Sequence, residues 1–172
     1  MQEPSSPGLS APTPVEFREL MGRFATGVSV MTTVHDGTPH AMTANAVTSV
    51  SLDPLLVLVS VERRTVMAER VTASGVFALS FLAASQQELS NRFADPDRPL
   101  DERQFAGLAT TAMATGAPVL TDGLGWLDCE VWAIHDGGDH LLVLGEVVAM
   151  AAGTEVDPLV FYRGGYRRLD AE

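Results

Sequence analysis

The sequence predicts a mainly β domain: an antiparallel barrel carrying a few short helices. Three observations point there. Most apolar runs are short and either alternate with strand period or are bounded by turn residues. Hairpin punctuation recurs, as HDGTP at 35–39, DGGD at 136–139 and the pair Gly164-Gly165. Helical signals are few, so the strand–helix alternation that builds a parallel sheet is missing.

Taken in order, residues 1–13 read as a flexible tail and 14–172 as one domain. The tail has neither the basic n-region nor the apolar h-region of a signal peptide, which places the protein in the cytoplasm. Thr13-Pro14-Val15-Glu16 is a capping box with proline at the first helical position. Phe17, Leu20, Met21 and Phe24 follow at helical spacing, giving an amphipathic helix over 14–25 that stops near Gly27. VSVMTTV (28–34) is a strand and 40–52 its hairpin partner. Asp53-Pro54 then turns the chain into LLVLVSV (55–61), apolar on both faces and so covered on both. Thr65 caps a helix of about two turns ending at Gly75. VFALSFL (76–82) is the next strand, and Ser85-Gln86-Gln87-Glu88 reads as a second capping box ahead of Leu89 and Phe93. The stretch 94–125 is rich in Asp, Pro, Gly and Arg and reads as mostly loop. WLDCEVWAIH and HLLVLGEVVAM flank DGGD as a hairpin, and LVFY precedes the last turn. HLLVLGEVV is apolar on both faces, more than one small barrel covers alone, which predicts a homodimer.

Composition excludes several functions. The chain has 172 residues, 46% of them apolar, and no apolar run of membrane-span length. The single cysteine, Cys129, rules out an internal disulfide and a cysteine-cluster metal site. A net charge of −11 argues against nucleic acid as a partner. All eleven cations are arginines. Without lysine there is no Schiff-base chemistry and no P-loop, so any phosphate is held by arginine, hydroxyls or backbone N–H groups.

The most informative stretch is MTANAVTSVSLDP (42–54). As a strand it carries Thr43, Asn45, Val47, Ser49 and Ser51 on one face and Ala44, Ala46, Thr48, Val50 and Leu52 on the other. No charge appears before Asp53, so this strand is either an edge rich in β-formers or the wall of a neutral, flat heteroaromatic ligand. Asn45 both donates and accepts, and Thr48, Ser49 and Ser51 suit a ribityl chain or phosphate. VERRT (61–65) puts Arg63, Arg64 and Thr65 where a strand meets a helix start, either an anion site or a solvated basic turn. In SNRFA (90–94), Arg92 and Phe93 are candidate cofactor contacts; the competing readings are that Arg92 complements the helix C-terminus and that Phe93 packs in the core. About HDGGDH, His135 and His140 are expected as cross-strand neighbours. A zinc pair there lacks a third ligand at suitable spacing.

With these pieces in order, the chain resembles the flavin reductases of the FMN-binding split-barrel type, the reductase components of two-component flavin-dependent monooxygenases. The resemblance runs from about Phe17 to Tyr166. It is carried by FRELMGRFATGVSVMTT, MTANAVTSVSLDPLLVLVSV, FALSFLAASQQELSNRFA, GAPVL, the GDH of 138–140 with Gly145 and Val147, and FYRGGY. It implies a six-stranded Greek-key split barrel, homodimeric, with FMN or FAD near the subunit interface and NADH or NADPH as hydride donor. It also implies an oxygenase partner that receives reduced flavin by diffusion. By the same resemblance Thr43, Ala44, Asn45, Ala46, Thr48, Ser49 and Ser51 line the flavin, while Ser60, Arg64 and Thr65 approach its phosphate. His140 serves nicotinamide binding and flavin reduction. The family often has lysine and serine where this chain has Arg63-Arg64-Thr65, and an aromatic or serine where it has Ala46-Val47. A flavin- or haem-binding barrel without NAD(P)H turnover, and a zinc hydrolase using His135 and His140, are the competing readings.

Overall fold

The computed structural model describes residues 11–169, so the tail expected over 1–13 lies almost wholly outside the described residues. Helix α1 (Pro14–Met21) opens on the capping box, with the Thr13 hydroxyl accepting from the Glu16 N–H and the Glu16 carboxylate accepting from the Thr13 N–H. It is shorter than expected, because Gly22 caps it, and none of its residues is buried. The strands β1 (Thr26–Gly27), β2 (Ser29–His35), β3 (Thr38–Ala44), β4 (Val47–Leu52) and β5 (Leu55–Glu62) follow. The β2–β3 turn places Asp36 and Gly37 at φ 48° and 73°, the two positive values that a two-residue type I′ hairpin requires.

Helix α2 (Val66–Ser74) is capped by Thr65 at its start and by Gly75, at φ 71°, at its end, as expected. Beyond β6 (Val76–Phe81) the entry to α3 (Gln87–Ala94) differs from the Ser85 box. A single 3₁₀ turn over 84–86 precedes the helix, and the Gln86 side chain reaches back to accept from the Ala83 N–H at 2.9 Å. The expected loop over 94–125 holds two short strands, β7 (Thr110–Ala112) and β8 (Pro118–Leu120), and a 3₁₀ turn over Glu102–Phe105. Gln104 anchors that turn by bonding Pro39, Ala41 and Asp101 backbone groups. The long hairpin is β9 (Gly125–Gly137) and β10 (His140–Ala152). The chain closes with β11 (Val160–Tyr162) and β12 (Gly165–Arg167), joined by Arg163-Gly164 rather than by the two glycines.

The main sheet is antiparallel with strand order β3-β2-β6-β9-β10-β5-β4. Its two outermost strands are consecutive in the chain, so the sheet curls until they meet. The continuous strand expected over 40–52 is therefore two, and the sheet has seven strands rather than six. β3 pairs with β2 as far as Ala44, opposite Ser29, and β4 pairs with β5 from Val47, opposite Val59. Asn45 and Ala46 are the residues at which the chain changes partner. Inside the curl, Met31, Val59, Val61, Met67, Phe77, Leu79 and Val143 form the main core. A second cluster of Val30, Leu82, Phe93 and Leu159 lies under α3.

Candidate functional site

The change of partner at Asn45-Ala46 leaves a gap in the ladder, and a cleft with Arg18 as its one charged lining residue opens there. Its volume is about 480 Å³, within the range of small-molecule sites, and Asn45, Ala46, Val47, Thr48, Leu58 and Ser60 form one wall. The opposite wall comes from α1 and the small sheet, through Arg18, Met21, Phe24, Thr26 and Phe161. Asn45 donates from Nδ2 to the Thr26 hydroxyl at 3.2 Å, which fixes its amide plane, and its carbonyl oxygen makes no bond to another described residue. The Ser60 N–H donates to the Ala46 carbonyl at 3.0 Å and pins the break to β5. Among the described residues neither Asn45 nor Ala46 donates its backbone N–H to another protein group. Unspent donors beside small side chains suit the polar edge of a flat ring that approaches the backbone closely.

Register decides which residues share this wall, because residues opposite one another in an antiparallel ladder project to the same side. Thr48 lies opposite Leu58, Leu58 opposite Leu144, Ser60 opposite Leu142, and Glu62 opposite His140. Thr48, Ser60 and His140 therefore stand on one face, the ledge at one end and the histidine at the other. A bulge between Ser49 and Ser51 sets those serines against the successive residues Val57 and Leu56. The expected common face for Ser49 and Ser51 is thus overturned by one extra residue. Both border a neighbouring apolar depression with Leu52, Leu55 and Met150.

Other expected residues are engaged elsewhere. Thr43 donates to the Ser90 carbonyl at 2.7 Å, tying β3 to α3, and Ala44 faces the core. Phe93 is fully buried, 5.6 Å from Phe105, and does not reach the cleft. Arg92 donates to the Arg103 and Ala106 carbonyls. Thr65 accepts from the Ala68 N–H at 3.2 Å and donates to the Glu62 carbonyl at 2.8 Å, so its hydroxyl is the cap of α2.

The two neighbouring arginines divide. Arg63 is committed to the hairpin tip: its N–H donates to the Asp139 carbonyl, its guanidinium donates to the Gly138 and His140 carbonyls, and it pairs with Asp136 at 3.2 Å. Arg64 makes no side-chain bond among the described residues and lies near enough to Asp139 to help lower its pKa. The chief cause of that lowering is His140, whose Nδ1 sits 2.7 Å from Asp139 Oδ1. This contact orients the ring and leaves Nε2 as its other polar atom. The histidines are not directly opposite. The turn is Gly138-Asp139, with Gly138 at φ 79°, so His140 faces Gly137 and His135 faces Leu142 one step along the diagonal. The off-centre turn was hidden because both glycines suit a positive φ.

Cys129 is buried, and burial together with Asp128 pushes its thiol up to about 12, so it supplies no thiolate. No three His, Cys, Asp or Glu residues gather as a metal site among the described residues. The site thus offers neutral donors, a histidine and a free arginine, which suits a chemistry carried by a bound organic group.

Comparison with known proteins converges on the same chemistry. The family pattern described as "Flavin reductase like domain" matches residues 21–170. The reductase subunit HsaB of a flavin-dependent monooxygenase from Rhodococcus jostii is 36% identical over 92% of this chain and 80% of its own length. An NADH-dependent FAD reductase from Streptomyces globisporus is 39% identical over 90% of this chain and 85% of its own. Among solved structures, BorF, the flavin reductase component of a bacterial two-component tryptophan halogenase, superposes with a TM-score of 0.87 at 39% identity, covering 93% of this chain and all of its own. The NADH:FAD oxidoreductase SgcE6 from Streptomyces globisporus, in complex with NAD and FAD fragments, superposes with a TM-score of 0.84 at 36% identity, covering 91% of this chain and 92% of its own. A cleft free of carboxylates at a strand break, a histidine on the same sheet face and a family pattern spanning nearly the whole chain agree: this chain belongs to the flavin reductase-like domain family.

Proposed function

We propose that this chain is an NAD(P)H:flavin oxidoreductase that reduces FMN or FAD and passes the reduced flavin to a partner oxygenase. The observation that carries the reading is the shared face of β4, β5 and β10, which sets Thr48 and Ser60 in line with His140. The bound cofactors supply the hydride chemistry, from nicotinamide C4 to flavin N5. The chain's own residues bind, orient and exclude water. Asn45 and the free N–H groups at the strand break hold the polar edge of the ring, where fixed donors favour developing negative charge. Ala46, without a long side chain, admits the ring to the backbone. Arg64, at the start of α2 and unpaired, takes the flavin phosphate. His140, steadied by Asp139 and with its backbone held by Arg63, would bind and orient the nicotinamide, and orienting the two reactants would be the chain's main contribution to the rate. No protein nucleophile is required.

The oxygenase partner is supported by HsaB, named as the reductase subunit of a flavin-dependent monooxygenase, and by BorF, named as the flavin reductase component of a two-component halogenase. No helix among the described residues is long and apolar enough to cross a membrane. A site in the cytoplasm, where the nicotinamide pool lies, is part of the same proposal. Purified protein mixed with NADH or NADPH and FMN, FAD or riboflavin under air tests it. The expected result is loss of nicotinamide absorbance well above the protein-free rate. Failure with every pair would leave a flavin carrier instead.

A further inference from the structure

Directly opposite residues of an antiparallel ladder come closest where they exchange no backbone hydrogen bonds. The Arg63 N–H donates to the Asp139 carbonyl, which makes Arg63 and Asp139 a bonded pair. Glu62 and His140, the next pair in the register, are therefore a non-bonded one, with Cα atoms about 4.5 Å apart and side chains drawn together. On the β9 side His140 meets Gly137, which has no side chain. The imidazole thus has two carboxylates as neighbours: Asp139, already bonded to Nδ1, and Glu62 across the ladder.

Glu62 is fixed at its backbone and unspent at its side chain. Its carbonyl accepts from the Thr65 N–H at 3.1 Å and from the Thr65 hydroxyl at 2.8 Å, so the cap of α2 holds it. Its carboxylate makes no hydrogen bond or ion pair among the described residues, although two arginines follow it in the chain. Arg63 turns instead to Asp136, at 3.2 Å. Leu58, Ser60 and Glu62 project to one side of β5, so this carboxylate continues the row that begins at the cleft wall. In a chain of net charge −11, a carboxylate with no fixed partner adds repulsion except where positive charge comes beside it.

Hydride transfer produces such a charge. The electron pair of the nicotinamide C4–H bond leaves with its hydrogen to form the flavin N5–H bond. Nicotinamide is oxidised to a pyridinium cation, and flavin is reduced to an anion that afterwards takes a proton from water. We propose that Glu62 is a charge-stabilising residue for this step, set beside His140 to favour the positive charge that develops on the nicotinamide ring. The inference rests on the reductase reading, in which His140 orients that ring. Glu62 complements the donors at Asn45 and Ala46, which favour the negative charge on the flavin, so that each end of the face serves one product charge. The carboxylate meets a neutral ring in the reduced dinucleotide and a cationic one in the oxidised. Its contribution therefore appears in the transition state and the product rather than in substrate binding.

The test is Glu62→Gln, which keeps the size and removes the charge. Binding of NAD⁺ and of NADH is measured by calorimetry, and reduction of bound flavin by anaerobic stopped flow. Loss of a partly screened charge contact predicts NAD⁺ binding weakened about fivefold, with NADH shifted less than about twofold. Flavin reduction is expected to slow by about the same fivefold, and both effects to shrink in high salt. Glu62→Asp is expected to recover part of the loss. Glu146→Gln removes a carboxylate from the same face three rows farther along β10, opposite Leu56, and is expected to change neither value. An unchanged ratio of NAD⁺ to NADH affinity overturns the inference, and so does an equal shift in Glu146→Gln, which would mark an effect of net charge. A parent chain that binds neither nucleotide sinks the reductase reading and this inference together, whereas an unchanged ratio in a chain that reduces flavin sinks the inference alone. Because the ratio is read without turnover, a shifted ratio in a chain that reduced no flavin would leave Glu62 beside the nicotinamide and remove the reductase reading.

Discussion

Arg63 and Arg64 are adjacent in sequence and alike in chemistry, yet their surroundings give them opposite tasks. Arg63 spends its fork on the Gly138 and His140 carbonyls and on Asp136, while Arg64 has no side-chain partner among the described residues. Which of the two serves an anion was illegible in VERRT, because the answer depends on a hairpin tip more than seventy residues away in sequence. The expected consequence of Arg64→Ala is roughly tenfold weaker binding of FMN with little change for riboflavin, since only FMN presents a phosphate to a charge-assisted donor. Arg63→Ala is expected to do the reverse, leaving flavin affinity and raising KM for NADH as the backbone under His140 loosens. Fluorescence titration with the two flavins checks the first, and steady-state kinetics the second. Equal weakening of FMN and riboflavin by Arg64→Ala would move the phosphate elsewhere.

At the scale of elements, what was legible was whatever local chemistry decides. The Thr13 box, the Thr65 cap and the Gly75 terminator stand where the side chains demanded them. The long hairpin and the β2–β3 hairpin followed from alternation and turn residues. What escaped was set by pairing: the break at Asn45-Ala46, the bulge between Ser49 and Ser51, and the off-centre Gly138-Asp139 turn. Gly145 shows the same division. Its place after the GDH motif was visible, but its reason is packing. A Cβ there would clash with the Phe77 ring and stand 2.9 Å from Cys129 Cβ, inside the main core. Phe77 is fully buried in the main core. Gly145→Ala is therefore expected to destabilise the fold by about 2–3 kcal/mol, the usual cost of overpacking. Chemical denaturation measures it, and a midpoint within error of the parent would show that the sheet accommodates the methyl.

The molecule as a whole leaves too much apolar surface outside. Leu52 is 85% exposed, Met150 63% and Trp132 55%, and the cleft-side helix α1 exposes Phe17 and Leu20 to a similar degree. The doubled apolar character of HLLVLGEVV predicts a second copy, and separately Leu52, Leu55 and Met150 border one apolar depression beside the cleft. A lone soluble chain rarely keeps such a patch uncovered, and a second copy is the simplest cover, because a twofold axis lets the same patch meet itself. We therefore expect light scattering to give twice the 18.3 kDa chain mass. Met150→Glu places a charge at the seam without touching the core, so the fold is retained while the mass falls to that of one chain. Because Thr48 and Val47 line both this depression and the cleft, dissociation is also expected to weaken flavin binding. A parent protein that is monomeric at micromolar concentration, or a variant that dissociates and still binds flavin as tightly, would separate the ledge from the seam.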